Sequence, residues 1–275
     1  MRALRAGTDG LGLLRCAECG LLSRVDRPSE SQVRTQYQHE YWPRFSDEQT
    51  GSARQNVHVH VMDWLEQLHP ERGVLIDVGC GAGALLELCR ERRWKGIGFD
   101  LSPHAIEVAR AQGLDASIQG WPPSPLPDAS ADAVTFINVL DHLVSPFGAL
   151  REAWRVLRPG GLLYVRVPNA PVHLRVRGLL GAFGLGRLPV FHLFGFGRSS
   201  LRHHVLHAGF QICSLRTAPP SQDFPYTVGG RWRSLSVRLL KVSDRLVYRG
   251  MARCGLDRHA WGLSIEVMAR RPQSE

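Results

Sequence analysis

Three glycines at alternate positions, Gly79, Gly81 and Gly83, follow an apolar run in VLIDVGCGAGALLEL (residues 74–88). Asp77 stands two residues before the first of them, and Asp100 lies 21 residues after it. A glycine loop between a strand and a helix brings backbone N–H groups close to a ligand, and a carboxylate about 20 residues on is placed to bond ribose hydroxyls. That is the chemistry of an adenosine cofactor. The glycines parse two ways: Gly79, Gly81 and Ala84 satisfy G-x-G-x-x-A, the dinucleotide fingerprint, while Gly79, Gly81 and Gly83 read as G-x-G-x-G. Asp77 bears on the choice, because a carboxylate at the end of a buried strand is a poor neighbour for a pyrophosphate and a good one for a cation. Asp100 has a second reading as a helix cap for LSPHAIEVAR, but Ser102 already fills that role.

Several histidines and cysteines are further candidates. His142, in NVLDHL just after an apolar run, can act as a general base near neutrality or bond a neighbouring backbone group as a structural residue. His192 in VFHLF and Asn169 are second candidates for contact with an acceptor. His203 and His207 share a helix face at i,i+4, a spacing that can bind metal. No carboxylate or cysteine near them in the sequence completes a set, so a plain helix face is expected there. Cys16 and Cys19 have the C-x-x-C spacing of half a zinc knuckle, and closure needs two more N or S ligands that no earlier cysteine supplies. No metal site is expected.

These residues must be positioned by alternating strands and helices. Apolar runs in GVLIDVG, KGIGFD, LDASI, ADAVTFINVL and LLYVRVPN are separated by helical segments at Ala82–Arg93, SPHAIEVARAQG and PFGALREAWRVL, with PGG (159–161) as a turn. Strands of this kind, buried on both faces, predict a doubly wound parallel α/β sheet. SSLRHHVLHAGF predicts a helix, QICSLRTA a strand, about 234–251 an amphipathic helix with a basic face, and GLSIEVMARR a closing strand that pairs antiparallel at one edge. Residues 1–56 read as an N-terminal extension or cap, with Tyr37, Tyr41, Trp42 and Phe45 in it, and 57–275 as the main domain, starting with an amphipathic helix over Val57–Leu68. The Gly-rich, apolar segment at about 170–197 interrupts the rhythm as a lid or binding loop does.

Composition narrows the class. Hydrophobic residues make up 44% of 275, enough for a substantial core, and the six cysteines are scattered at 16, 19, 80, 89, 213 and 254. The N-terminus lacks an apolar signal region and no run approaches the roughly 18 residues of a membrane span, so the chain reads as cytoplasmic. The net charge is +9, unevenly placed: after residue 170 there are 16 Lys and Arg against 5 Asp and Glu, or +11, leaving −2 before it. Such asymmetry suits an anionic or amphiphilic small molecule, a membrane surface or nucleic acid, or else solvated arginine-rich faces.

The text DASADAVTFINVLDHLVSPFGALREAWRVLRPGGLLYVRVPN, with DVGCGAG and GFDLSPHAIEVAR before it, resembles the class I S-adenosylmethionine-dependent methyltransferases over about residues 73–170, and SLRHHVLHAGF and IEVMARR extend the likeness. The features that carry it are Asp132 before an apolar strand, the NVLDHL strand end and LRPGG. The resemblance implies a Rossmann-like seven-stranded sheet with an antiparallel last strand. It also implies S-adenosyl-L-methionine as cofactor, whose ammonium and sulfonium suit Asp77. In that frame Asp77, Gly79, Gly81 and Gly83 lie under the methionine part and Asp100 holds the ribose. Leu101 flanks the adenine, Gln119 and Gly120 sit near its edge, and Asn138 lies beside the methionine. The family's acidic residue near 119–121 is QGW here, with the Gln119 side chain as substitute acceptor, and Asp141 replaces the family's usual Glu. The expected activity is methyl transfer to a small-molecule acceptor, a natural product, sugar or lipid-like molecule. An RNA methyltransferase and an inactive binding protein of the same fold are the alternatives. Nucleic acid is the weaker partner, since no RNA-binding module or base-flipping motif is present.

Overall fold

A computed structural model describes residues 2–4, 12–37, 55–182, 193–221, 231–259 and 261–273. Among the described residues eleven strands form two sheets: β1 (Arg2–Leu4), β2 (Leu13–Arg15), β3 (Leu22–Arg24), β4 (Val74–Val78), β5 (Lys95–Asp100), β6 (Ala116–Ile118), β7 (Ala131–Ile137), β8 (Leu157–Pro168), β9 (Phe194–Gly195), β10 (Gln211–Thr217) and β11 (Ser264–Arg270). The helices are α1 (Glu30–Gln36), α2 (Gln55–Leu68), α3 (Ala84–Glu91), α4 (Pro103–Ala111), α5 (Pro146–Val156), α6 (Ala170–Ala182), α7 (Arg198–His207) and α8 (Arg231–Arg253). No described helix is long and apolar enough to cross a membrane.

The larger sheet has the order β10-β11-β8-β7-β4-β5-β6. Strands β8, β7, β4, β5 and β6 run parallel, and β11 pairs antiparallel with both β8 and β10. This is the expected doubly wound, Rossmann-like seven-stranded sheet. Every residue of β7 is buried, as a central strand covered on both faces requires. Alternate residues feed two cores. Ile76, Val134 and Phe136 pack with Ala149, Leu150 and Ala153 of α5 and Leu201 and Val205 of α7. Leu75 and Ala133 pack on the opposite face with Val57, Val61, Met62 and Leu65 of α2 and Leu85 of α3.

Two buried carboxylates lock this sheet. Asp132, the second residue of β7, accepts from the Val74 N–H at 2.7 Å and pairs with Arg158 at 2.5 Å, so it ties the start of β4 to β7 and β8. Glu266 of β11 is fully buried and accepts from Tyr164 Oη, His60 Nε2 and Arg216 Nε at 2.8, 3.0 and 2.8 Å. Burial alone would raise its pKa, but His60, Arg216 and Tyr164 outweigh burial and hold it below the ordinary value.

The sequence expectations need one correction and gain two refinements here. Pro159-Gly160-Gly161 is not a turn between elements but a bulge inside a continuous β8, where the pairing with β7 jumps from Leu157 to Leu162 and Gly160 takes φ +84°. The insertion at about 170–197 opens as helix α6 and returns as β9, which pairs with β3 and completes a four-stranded antiparallel sheet, β1-β2-β3-β9, with the N-terminal segment. The basic helix expected at about 234–251 extends over Arg231–Arg253. Removing the Glu266 carboxylate strands the buried Tyr164 hydroxyl and the half-buried Arg216 guanidinium. Glu266→Ala is therefore expected to lower the unfolding free energy by about 3–5 kcal/mol, read as a fall in urea midpoint, and a loss below about 1 kcal/mol contradicts this role.

Candidate active site

The parallel strands deliver their carboxyl ends to one edge, where a cavity of about 260 Å³ opens. Its lining includes Val78, Gly79, Asp100, Leu101, Gln119, Gly120, Trp121, Val139 and His142, joined by Glu30, Val33, Arg34 and Tyr37 from the N-terminal segment. Six of the residues expected at the site, Gly79, Asp100, Leu101, Gln119, Gly120 and His142, therefore meet around one space. Asp77, Gly81, Gly83 and Asn138 are not among its lining residues.

The loop after β4 settles how its glycines are to be parsed. Gly79, Gly81 and Gly83 all take positive φ, +76°, +54° and +89°, and Ala84 is already the first residue of α3. Side chains rarely tolerate that region, so the backbone follows G-x-G-x-G. Space is short as well. A Cβ on Gly79 would meet Val139 at 2.6 Å, and one on Gly83 would meet Leu114 at 2.5 Å.

Asp100 ends β5 and organises the loop. Its Oδ2 accepts from the Gly81 N–H at 3.0 Å and its Oδ1 from the Ser102 N–H at 2.8 Å. Ser102 itself caps α4 by accepting from Ala105 N, as the sequence suggested. Burial raises the pKa of Asp100, and these backbone donors offset part of the effect.

Asp77 is only 4% exposed and is not unpaired as expected. Its Oδ1 accepts from Thr135 Oγ1 at 2.7 Å across the β4–β7 register pair. Burial pushes its pKa up to about 7, the charge of Asp100 adds to the rise, and the Thr135 bond opposes it. No cation contributes to either shift among the described residues. A buried carboxylate, Asp77, and a half-buried one in the cavity wall, Asp100, with no described cation contributing to the pKa shift of either, fit the cationic methionine end of S-adenosylmethionine and would repel a pyrophosphate.

Local contacts engage several other residues expected at the site. Asn138 has φ +56°, and its Oδ1 accepts from buried Arg166 rather than facing the cavity. Asn169 is buried and donates to Gly262 O at 2.9 Å, which makes it a brace between β8 and the entry to β11. Gln119 lines the cavity with its Nε2 donating to Pro123 O at 3.1 Å, which leaves its side-chain oxygen as an acceptor. His192 lies outside the described residues, as do Tyr41, Trp42 and Phe45.

His142 sits where the sequence placed it, just beyond β7. Its Nδ1 lies 2.5 Å from Tyr37 Oη and its Nε2 lies 3.9 Å from Asp141 Oδ2. The Asp141 carbonyl in turn accepts from the N–H groups of Leu193 and Phe194 at 3.1 Å each, so the end of the 170–197 segment is fastened to this loop. Tyr37 belongs to the aromatic group of the N-terminal extension; its pairing with a histidine 105 residues away had no local signal. Trp121, also absent from the expected set, donates to Ala149 O at 3.0 Å and packs against Phe99 and Phe136 under the cavity wall. Cys16 and Cys19 are free thiols in the turn between β2 and β3.

Comparison with known proteins adds the family. A family model described as a methyltransferase domain matches residues 53–215, more than half of the chain. The ubiquinone biosynthesis O-methyltransferase of Xanthomonas oryzae is 32% identical over 121 residues, 42% of this chain and 51% of that protein. Its namesake in Xylella fastidiosa is 30% identical over 135 residues, 46% and 55% respectively. The chain thus spans about half the length of the curated relatives it matches. Among solved structures, a S-adenosylmethionine-dependent methyltransferase from Archaeoglobus fulgidus aligns with TM-score 0.54 at 18% identity, over 84% of this chain and all of that one. The [4+2]-cyclase SpnF aligns with TM-score 0.53 at 21% identity, over 82% and 84%. Those likenesses bear on fold, and the cyclase is a reminder that this fold hosts more than one reaction. The family match, the seven-stranded topology and the carboxylate-backed glycine loop agree: the chain belongs to the class I S-adenosylmethionine-dependent methyltransferase family.

Proposed function

We propose that the protein transfers a methyl group from S-adenosylmethionine to a hydroxyl of a small acceptor with a largely apolar body. The observation that carries this reading is the meeting, around one cavity, of the Asp100 carboxylate with the Tyr37–His142 pair. Asp100 would accept from the ribose hydroxyls, and the loop from Gly79 to Gly83, backed by Asp77, would receive the methionine end. Leu101, Gln119 and Gly120 would hold the adenine. When bound, the cofactor supplies an electrophilic methyl on a sulfonium that departs as a neutral thioether.

The chain's own work is then alignment, exclusion of water and removal of one proton. A hydroxyl acceptor must lose its proton as it attacks, and His142 is the base within the cavity. That role needs the tautomer in which Nδ1–H donates to Tyr37 Oη, because it leaves Nε2 with the lone pair. The Asp141 carboxylate, 3.9 Å from Nε2, favours the imidazolium that follows. Val33, Trp121, Val139, Leu143 and Val144 give the cavity apolar walls, and Arg34 in the same lining would meet an anionic substituent. An O-methyl product also agrees with the names of the partial relatives.

The test is turnover of methyl-labelled cofactor with catechols and related phenols, with and without an apolar tail. Labelled ether is the expected product; stoichiometric cofactor binding with no product from any hydroxyl acceptor would support a binding protein instead. His142→Gln should lower kcat roughly 10²–10⁴-fold while the affinity for S-adenosylmethionine changes by less than about threefold. A loss of cofactor affinity as large as the loss of kcat would place His142 in the wrong role.

Asp77 carries a separate prediction. Its folded pKa, about 7, lies above the ordinary 3.8, so the folded state holds its proton more tightly than the unfolded one. The stabilising contribution is full below the ordinary value and is lost as pH rises through about 7. Each unit across that window costs up to about 1.4 kcal/mol. Urea unfolding of the ligand-free protein should therefore show a downward slope between these limits that Asp77→Asn flattens. Parallel wild-type and variant profiles contradict a buried, unneutralised Asp77.

A further inference from the structure

The chelating side chains outside the cavity gather at one place. Glu18, exposed at the turn between β2 and β3, stands beside His203 and His207 of α7, and one potential ligand atom from each lies within 4.8 Å of the other two. The sequence showed only the i,i+4 histidines, with no carboxylate near them. Folding supplies it from 185 residues away, because the cysteine turn and α7 share a hydrophobic cluster in which Cys19 and Leu21 pack with Leu201 and Val205. Among the described residues no other trio of His, Cys, Asp and Glu comes this close.

We propose that Glu18, His203 and His207 bind a divalent transition metal, zinc being the best match, and that the ion clips the N-terminal hairpin to α7. Two imidazoles and one carboxylate form a borderline donor set that suits zinc and its first-row neighbours rather than magnesium or calcium, which prefer all-oxygen shells. The histidines are arranged for it. Their rings lie face to face, 3.8 Å between centroids and 27° between planes, on one side of the helix. His207 Nδ1 is 2.8 Å from the His203 carbonyl oxygen, a bond that fixes the proton on Nδ1 and leaves Nε2 as the ligating atom. A backbone acceptor on the far ring nitrogen is the usual orienting contact of a metal-bound histidine.

Tetrahedral zinc with bonds of about 2.0–2.1 Å brings its ligands to roughly 3.4 Å apart. Glu18 and His207 are exposed and His203 half-buried, so side-chain rotation can close the remaining gap without moving backbone. A water would complete the shell. Cys16 and Cys19 do not belong to the trio, so the C-x-x-C here is not the ligand set; the residue between its cysteines is. The clip would hold the hairpin upstream of α1 and so the frame that carries Tyr37.

Calorimetric titration of zinc chloride into untagged, chelator-stripped full-length protein tests this. One zinc per chain is expected, with affinity falling at least about tenfold in each of Glu18→Gln, His203→Ala and His207→Ala, and unchanged in the Cys16→Ser/Cys19→Ser double variant. Zinc should raise the melting temperature of the wild type but not of Glu18→Gln, whose metal-free melting temperature should equal the wild type's. Cobalt in place of zinc should absorb in the visible without a thiolate charge-transfer band. No zinc binding by the wild type, binding unaffected by the three ligand variants, or binding abolished by the cysteine double variant would each overturn the assignment.

Discussion

Two carboxylates at neighbouring strand ends, one buried and one half-buried in the cavity wall, are the constraint on which the site depends. Asp77 near the end of β4 and Asp100 at the end of β5 raise the cost of ionisation, Asp77 through both its own burial and the charge of Asp100. Burying like charges without a counter-ion is unfavourable, and the fold spends its local hydrogen bonds on tolerating them: the Thr135 hydroxyl for Asp77, and the N–H groups of Gly81 and Ser102 for Asp100. The glycine loop is shaped by the same need. Its left-handed residues turn the Gly81 N–H onto Asp100 and bring Gly79 against Val139 without a Cβ in the way. The cation proposed to bind here would relieve an ionisation cost already built into the ligand-free protein.

The rest of the architecture either supports that edge or covers it. Asp132 and Glu266 hold the sheet from beneath, through Val74 and Arg158 on one side and His60, Tyr164 and Arg216 on the other. The N-terminal segment covers it. Helix α1 contributes Val33 and Arg34 to the cavity, and Tyr37 just beyond it reaches His142, while β3 recruits β9 from the insertion after β8. Backbone bonds from Leu193 and Phe194 to the Asp141 carbonyl join the insertion to the His142 loop. Segments distant in sequence thus converge on the position proposed for the proton acceptor.

Much of the sheet could be read from the sequence because its signals are local. Apolar runs set off by glycines marked β4, β5 and β7, and Ser102-Pro103 marked the start of α4. The glycine loop and Asp100 were found by spacing. What could not be read was contact between distant segments. Thr135 beside Asp77, Arg166 holding Asn138, Tyr37 on His142 and Glu18 beside His203 and His207 are all tertiary meetings with no periodic signature. Pro159-Gly160-Gly161 misled for the opposite reason, since its turn-forming residues are local evidence that strand pairing on either side overrides by absorbing them as a bulge.

The claim that the cavity is built for a cation-bearing adenosine ligand is tested most directly by calorimetry of the full chain with S-adenosylmethionine and with NAD, on the wild type and on Asp77→Ala. The account predicts one S-adenosylmethionine per chain, weakened by at least about tenfold in the variant, and no measurable NAD binding. Tight NAD binding without S-adenosylmethionine binding, or undiminished S-adenosylmethionine affinity in Asp77→Ala, would contradict it.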